Sequence, residues 1–159
     1  MLPDLRGKPI RVELRPSLGG NLAASSIPRR LILLDAEVLL DRGDFERILI
    51  HEIFHFIWVR LSNQKRRAWE ILLAEQLASR TPGELGWSAE RRKRKLTRQD
   101  ARGRTVKWRR YVCESFCDTA AWRYAGLRRH EEFTLPPAAR RARGAWFLKN
   151  LPLRSPVSL

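Results

Sequence analysis

Three polar side chains interrupt a long apolar stretch in the first half of the chain. From Ile48 to Val59 they are His51, Glu52 and His55, and every other residue is Ile, Leu, Phe, Trp or Val. A helix that is apolar on all sides is buried, and burying ionisable groups is costly unless something compensates them. A bound divalent cation would provide that compensation.

The spacing of the two histidines suits zinc in particular. His51 and His55 are four residues apart, so both imidazoles leave one face of a helix and can close on a tetrahedral Zn²⁺. Glu52 is displaced from them by about one residue's rotation. We therefore expect His51 and His55 to bind the metal, and Glu52 to act as general base toward a water that the zinc activates.

A catalytic zinc has three protein ligands and one open position, so the chain must supply a third donor. Glu114 is the best candidate, because it lies in an apolar helical segment where a carboxylate needs a partner. Asp118 follows four residues later on the same helical face. It is placed to accept the second ring N–H of a ligating histidine and so fix its tautomer.

Other residues compete for these roles. Glu75 is closer to His55 in sequence, but the segment around it is amphipathic and solvated. His130 could complete a three-histidine site, or stabilise an oxyanion from the opposite wall of a cleft. A lone histidine in such a polar setting is more often a surface residue. Tyr111 and Tyr124 are weaker candidates.

The two cysteines, Cys113 and Cys117, are one helical turn apart. A disulfide between them would close only a trivial loop, so they indicate a reducing compartment, and we expect a cytoplasmic protein. As thiolates they could join the histidines in a closed, structural two-His, two-Cys site, which would leave Glu52 without a task. Buried free cysteines are the ordinary outcome.

The motif His51-Glu-Ile-Phe-His55 followed by Glu114-x-x-x-Asp118 resembles the gluzincin group of zinc metallopeptidases, the thermolysin-like clan. The resemblance implies zinc held by two histidines and Glu114, with Glu52 as base and Asp118 behind a ligand. It implies a minimal metallopeptidase that hydrolyses a peptide or protein substrate. The link between the two helices is longer than in the thermolysin type.

The elements expected around the motif predict an α+β fold. Residues 10–14 alternate as a half-buried strand, and the apolar run at 30–35 indicates a second strand. Long helices are expected at 45–61, 65–79 and 106–124. We expect a small, mostly antiparallel N-terminal sheet packed on the buried His-Glu-x-x-His helix and on a second, Glu-bearing helix. The strand at 30–35 is the expected edge that holds an extended peptide.

The organisation predicted for residues 1–159 is a single metallopeptidase-like domain. A basic insertion at about 84–106 is expected to be exposed and partly mobile, because few apolar residues hold it down. From about residue 134 we expect an irregular basic tail. No apolar run is long enough to span a bilayer, so no membrane association is expected.

The formal net charge of +15 would attract polyanions such as nucleic acid, so the sequence also allows functions other than that of a peptidase. One is a nucleic-acid-associated protein with a structural or accessory zinc site, in which Arg91 to Arg110 neutralise phosphates and Trp108 stacks a base. The same stretch is also explained by a solvated insertion in an arginine-rich chain. Two further alternatives are a peptidase recruited to nucleic acid and a peptidase-like binding module without activity.

Overall fold

The computed structural model describes residues 2–152 and 156–159 and confirms the α+β class. The strands are β1 Leu5–Arg6, β2 Arg11–Arg15, β3 Ala23–Ser26, β4 Leu31–Asp35 and β5 Val157–Ser158. The helices are α1 Arg42–Arg60, α2 Asn63–Ala78, α3 Trp87–Lys93, α4 Arg98–Arg102, α5 Val106–Tyr124 and α6 Pro137–Asn150. No helix in the described ranges is both long and apolar enough to cross a membrane.

The sheet at the N-terminal end has the order β2-β4-β3. Strand β4 pairs in parallel with β2 and antiparallel with β3, while β1 and β5 form a separate parallel pair. The expectation of a mostly antiparallel sheet was therefore wrong. The expected edge position of residues 30–35 was also wrong, because β4 is the central strand and its side chains are buried on both faces. The edge strand nearest the motif helix is β3.

Helix α1 is apolar all round because it lies between two layers. One side packs on the sheet, where Ile48 and Phe56 join Ile32 and Leu34. The other side packs on α5 and its neighbours through Phe54 and similar residues. The helix begins at Asp41, whose side chain accepts the backbone N–H of Asp44, and ends where the chain becomes extended at Leu61.

The C-terminal segment is not an irregular tail, because most of it forms α6. Trp146 and Phe147 of this helix belong to the main core, where Phe147 stacks on Phe116 at 5.1 Å between ring centroids. Arg143 is fully buried and pairs with the equally buried Glu84. The rings of Trp146 and Phe147 and the ion pair between Arg143 and Glu84 thus fix this segment to the rest of the fold. Its many arginines and prolines had suggested an irregular tail.

The basic segment at 84–106 keeps most of its arginines exposed, as expected, but it is folded and anchored to the core, which was not expected. It contains α3 and α4, and Ala89 packs in the core against α5. Asp100 closes a capping box with Thr97 at the start of α4 and accepts a hydrogen bond from Thr105 at 2.7 Å. The capping hydrogen bonds of Asp100 and the buried side chain of Ala89 therefore hold this segment in place, although its low content of apolar residues had predicted that it would be loosely held.

Candidate metal centre

Helices α1 and α5 bring three donor atoms to one point. The Nε2 atoms of His51 and His55 are 3.2 Å apart. The Oε2 atom of Glu114 lies 3.3 Å from Nε2 of His51 and 4.0 Å from Nε2 of His55. Ligands at about 2.0 to 2.1 Å from a tetrahedral zinc are separated from each other by about 3.3 Å. The triangle therefore has the dimensions of three zinc ligands.

The outward nitrogen of each ring has a partner of its own. Nδ1 of His51 lies 2.7 Å from Oδ1 of Asp118, so it carries a proton and donates it. Nδ1 of His55 lies 3.4 Å from Sγ of Cys113. When both histidines are neutral and carry their proton on Nδ1, as metal binding requires, two ring lone pairs and the Glu114 oxygen face one another without a donor between them. A divalent cation is the group that such a set of acceptors fits.

Asp118 is itself held in place. Its second oxygen, Oδ2, accepts the backbone N–H of Ala89 at 2.8 Å. The carboxylate is almost fully buried and therefore has little freedom to rotate. Helix α3 thus positions Asp118, which in turn positions the His51 ring.

Arg92 occupies the other oxygen of Glu114. Its Nη2 atom lies 3.0 Å from Oε1 of Glu114, and its Nη1 donates to the carbonyl of Ser88 at 2.9 Å. The guanidinium is thereby fixed between its own helix and the carboxylate. Only Oε2 of Glu114 remains available to a metal, so this residue would be a ligand through one oxygen.

Cys117 is a competing donor. With His51 and His55 it forms a group whose ligand atoms all lie within 4.8 Å of one another. Its side chain is completely buried, whereas the Glu114 side chain keeps 15% of its surface exposed. Cys113 contacts the outward nitrogen of His55 instead of the point where the donors meet. A two-His, two-Cys site is therefore not the arrangement present here.

Burial and charge act in opposite directions on these groups. Burial lowers the pKa of His51, but Asp118 and Glu114 outweigh it and leave that pKa well above its ordinary value. Burial raises the pKa of Glu114, yet the histidines and Arg92 hold it below the usual range. For Cys117, burial and the neighbouring groups all raise the pKa of the thiol. In this arrangement the carboxylate is ionised and the thiol is neutral at pH 7.

A cleft runs past the donor atoms, with β3 and the segment before it on one side and α3 on the other. Two adjoining cavities share the same central residues, which lie on the segment leading into β3, on α1 and on α3: Asn21, Ala23, His51, Glu52, Ser88 and Arg91. Glu52 is 8% exposed, and its carboxylate has no hydrogen-bond or ion-pair partner among the described residues. It is free to act on a molecule in the cleft.

The remaining sequence candidates lie elsewhere. His130 is not among the residues that line the cleft. Both of its ring nitrogens are already engaged: Nε2 lies 3.1 Å from Oδ1 of Asp44, and Nδ1 accepts a backbone N–H. Glu75 is exposed on α2. Tyr111 donates its hydroxyl to Glu84 in the core at 2.7 Å, and Tyr124 stacks on an aromatic ring there. Neither tyrosine faces the donors.

Sequence reasoning missed the two walls of the cleft. Strand β3 reads Ala-Ala-Ser-Ser, which shows no alternation of apolar and polar residues to indicate a strand. The second wall is α3, which carries Ser88, Arg91 and Arg92. The ion pair between Arg92 and Glu114 joins two separate helices, so no local sequence pattern predicted it. The sequence showed only a run of basic residues there.

Comparison of the chain with known protein families, with curated proteins and with solved structures gave no match. The residues of the site itself therefore carry the functional interpretation.

Proposed function

We propose that this protein is a zinc-dependent metallopeptidase of the gluzincin type, with His51, His55 and Glu114 as metal ligands. The observation that carries the proposal is the convergence of three donor atoms at 3.2, 3.3 and 4.0 Å. Beside them the Glu52 carboxylate stands unpaired among the described residues of an open cleft. Metal-assisted hydrolysis needs this combination of a fixed ligand set and a free base.

Each side chain has a distinct task in the proposed reaction. Bound zinc would polarise the scissile carbonyl and make a water more acidic. Glu52 removes a proton from the attacking water and passes it to the amine that leaves as the C–N bond breaks. Asp118 and Arg92 keep His51 and Glu114 oriented, so the donor geometry does not have to reorganise during the reaction.

An extended peptide is the substrate that the cleft favours. Strand β3 pairs with β4 on one side, and its other edge pairs with no strand in the part of the chain that the structure describes. That free edge borders the cleft and offers main-chain hydrogen bonds to a substrate strand. The edge strand in the proposal is thus β3 and not residues 30–35. Across the cleft, Arg91 is exposed and without a carboxylate partner among the described residues.

A closed metal site is the competing proposal. If Cys117 joined the two histidines and Glu114, four protein ligands would leave no position for water, and the zinc would be structural. That outcome would favour a nucleic-acid-associated protein or a binding module without activity. The two free cysteines fit a reducing compartment such as the cytoplasm under either proposal.

The test compares Glu52→Gln with the wild type after reconstitution with zinc. Both forms are assayed for bound metal by mass spectrometry and for cleavage of an unstructured protein and a peptide library. We expect Glu52→Gln to keep its zinc and to lose about 10²- to 10⁴-fold in turnover. Glu46→Gln on the same helix, whose side chain pairs with Arg42 at the surface, is the matched control. Undiminished cleavage by Glu52→Gln, or no cleavage by any zinc-loaded form, would refute the proposal.

A further inference from the structure

A second concave surface lies where α1 ends and α2 and α5 begin. We call it the arginine groove, and it shares no residue with the cleft. Its lining comes from three separate parts of the sequence: Trp58, Asn63, Arg66, Arg67, Glu70, Arg104 and Arg109. Four guanidinium groups thus meet around one tryptophan and one carboxylate.

The groove has a surplus of positive charge. Glu70 is its only carboxylate among the described lining residues, and it pairs with both Arg67 at 3.0 Å and Arg104 at 2.9 Å. Arg66 donates to the side-chain oxygen of Asn63, and Arg109 donates to the backbone carbonyl of Arg104. Neither of these two arginines has a carboxylate partner there. Glu70 brings Arg67 and Arg104 together by pairing with both, but one carboxylate cannot neutralise four guanidinium groups. A bound anion would reduce the remaining repulsion between them.

Trp58 gives the groove an aromatic surface. The indole is half-buried and packs on Phe116 at 5.1 Å between ring centroids, so it is held rigidly. The part of the ring that remains exposed borders the arginines. In the nucleic-acid alternative considered from the sequence, Trp108 was the residue expected to stack on a base. Its side chain is only 1% exposed and cannot do so. Trp58 is the tryptophan that is available for stacking in the folded chain.

We propose that the arginine groove binds single-stranded nucleic acid, with phosphates on the guanidiniums and an unpaired base on Trp58. Guanidinium forks suit phosphate oxygens, and an indole face suits any base that is not already stacked in a duplex. A duplex would offer phosphates but no free base. Because the groove shares no residue with the cleft, this inference stands whether or not the protein hydrolyses peptides.

The experiment measures fluorescence anisotropy of a labelled oligothymidine and of a matched hairpin duplex with the full chain. Arg66→Glu/Arg109→Glu is compared with Arg128→Glu/Arg129→Glu, which changes the net charge equally at exposed residues outside both the groove and the cleft. We expect the groove variant to lose at least about tenfold in affinity and the control about twofold or less. Circular dichroism establishes that both variants fold.

Two further measurements separate stacking from simple charge attraction. With three to four phosphate contacts, the logarithm of the association constant should fall with log salt at a slope of about −2 to −3. Trp58→Phe should retain most of the affinity, while Trp58→Leu should lose about tenfold. Equal losses in the two charge-reversal variants, equally tight binding of the duplex, or absence of binding at low salt would each overturn the inference.

Discussion

Gly86 leaves the space that the Asp118 carboxylate occupies. A methyl group at position 86 would lie 2.3 Å from Cγ of Asp118 and 2.4 Å from its Oδ1 atom. The backbone at Gly86 is extended, so the position excludes a side chain by sterics and not by its dihedral angles. Since Oδ1 of Asp118 holds Nδ1 of His51 at 2.7 Å, a glycine ahead of α3 sets the geometry of a proposed metal ligand.

Gly86→Ala should therefore weaken metal binding without touching a ligand. The added methyl displaces the carboxylate that orients His51, and loss of such outer partners typically costs about 10- to 100-fold in metal affinity. Competition with a chromophoric chelator measures the change. Gly144→Ala is the control, because the nearest atom to its added methyl lies at an ordinary 3.6 Å. Unchanged affinity in Gly86→Ala would mean that Asp118 does not control the site.

The third ligand is identified by comparing Glu114→Ala, Cys117→Ser and Cys113→Ser. We expect Glu114→Ala to lower zinc affinity by more than about 100-fold, since it removes a direct donor rather than an outer partner. Cys117→Ser should keep stoichiometric zinc, and Cys113→Ser should lose only an outer contact to His55. Chelator competition and the visible spectrum of the cobalt-substituted protein report the outcome. Loss of zinc with Cys117→Ser, together with thiolate-to-cobalt absorption, would favour a closed site.

Arg91 should bias cleavage toward acidic sequences. It is exposed, borders both cavities of the cleft and has no carboxylate partner among the described residues. A single exposed charge pair contributes about 0.2 to 1 kcal/mol, so Arg91→Ala should reduce kcat/KM for acidic peptides by up to about fivefold. Arg91→Glu should reverse the preference. A peptide library read by mass spectrometry tests this, with Lys95→Ala as the control. Identical profiles in all forms would exclude the role.

The Glu84 and Arg143 pair should dominate the stability of the core. Nη1 and Nη2 of Arg143 lie 2.6 and 3.0 Å from the two Glu84 oxygens, and both side chains are fully buried. Removing one partner of such a pair leaves an uncompensated charge, at a cost of about 3 to 5 kcal/mol. Glu84→Gln should therefore lower the free energy of unfolding by that amount in urea at pH 7. Glu46→Gln, at an exposed pair, should change it by less than about 0.5 kcal/mol.

The same pair predicts how stability depends on acid. Burial raises the pKa of Glu84, but Arg143 and Lys93 outweigh it and hold the pKa below its ordinary value of 4.5. The stabilisation is therefore complete above pH 4.5 and is lost as the pH falls through the lower folded-state value. Urea titrations from pH 7 to pH 3 should show a steeper loss for the wild type than for Glu84→Gln. Parallel curves would indicate that other carboxylates govern acid unfolding.

Local periodicity was enough to predict part of this molecule. Four-residue spacing places His51 beside His55 and Glu114 beside Asp118 on their own helices, whatever the rest of the chain does. The bounds expected for α5 match those in the structure, because Thr105 caps its start and Gly126 follows its end. The α+β class followed from the same patterns of alternation and helical repeat.

Contacts between distant segments decided the rest, since no local pattern encodes them. The central place of β4, the folding of α6 around Arg143 and the wall formed by α3 all depend on pairings between remote residues. Four arginines from two separate segments meet at the arginine groove only in the folded chain. The sequence by itself determined which residues could bind a metal. The tertiary structure decided which donors converge, because the approach of α1 to α5 depends on packing across the whole core.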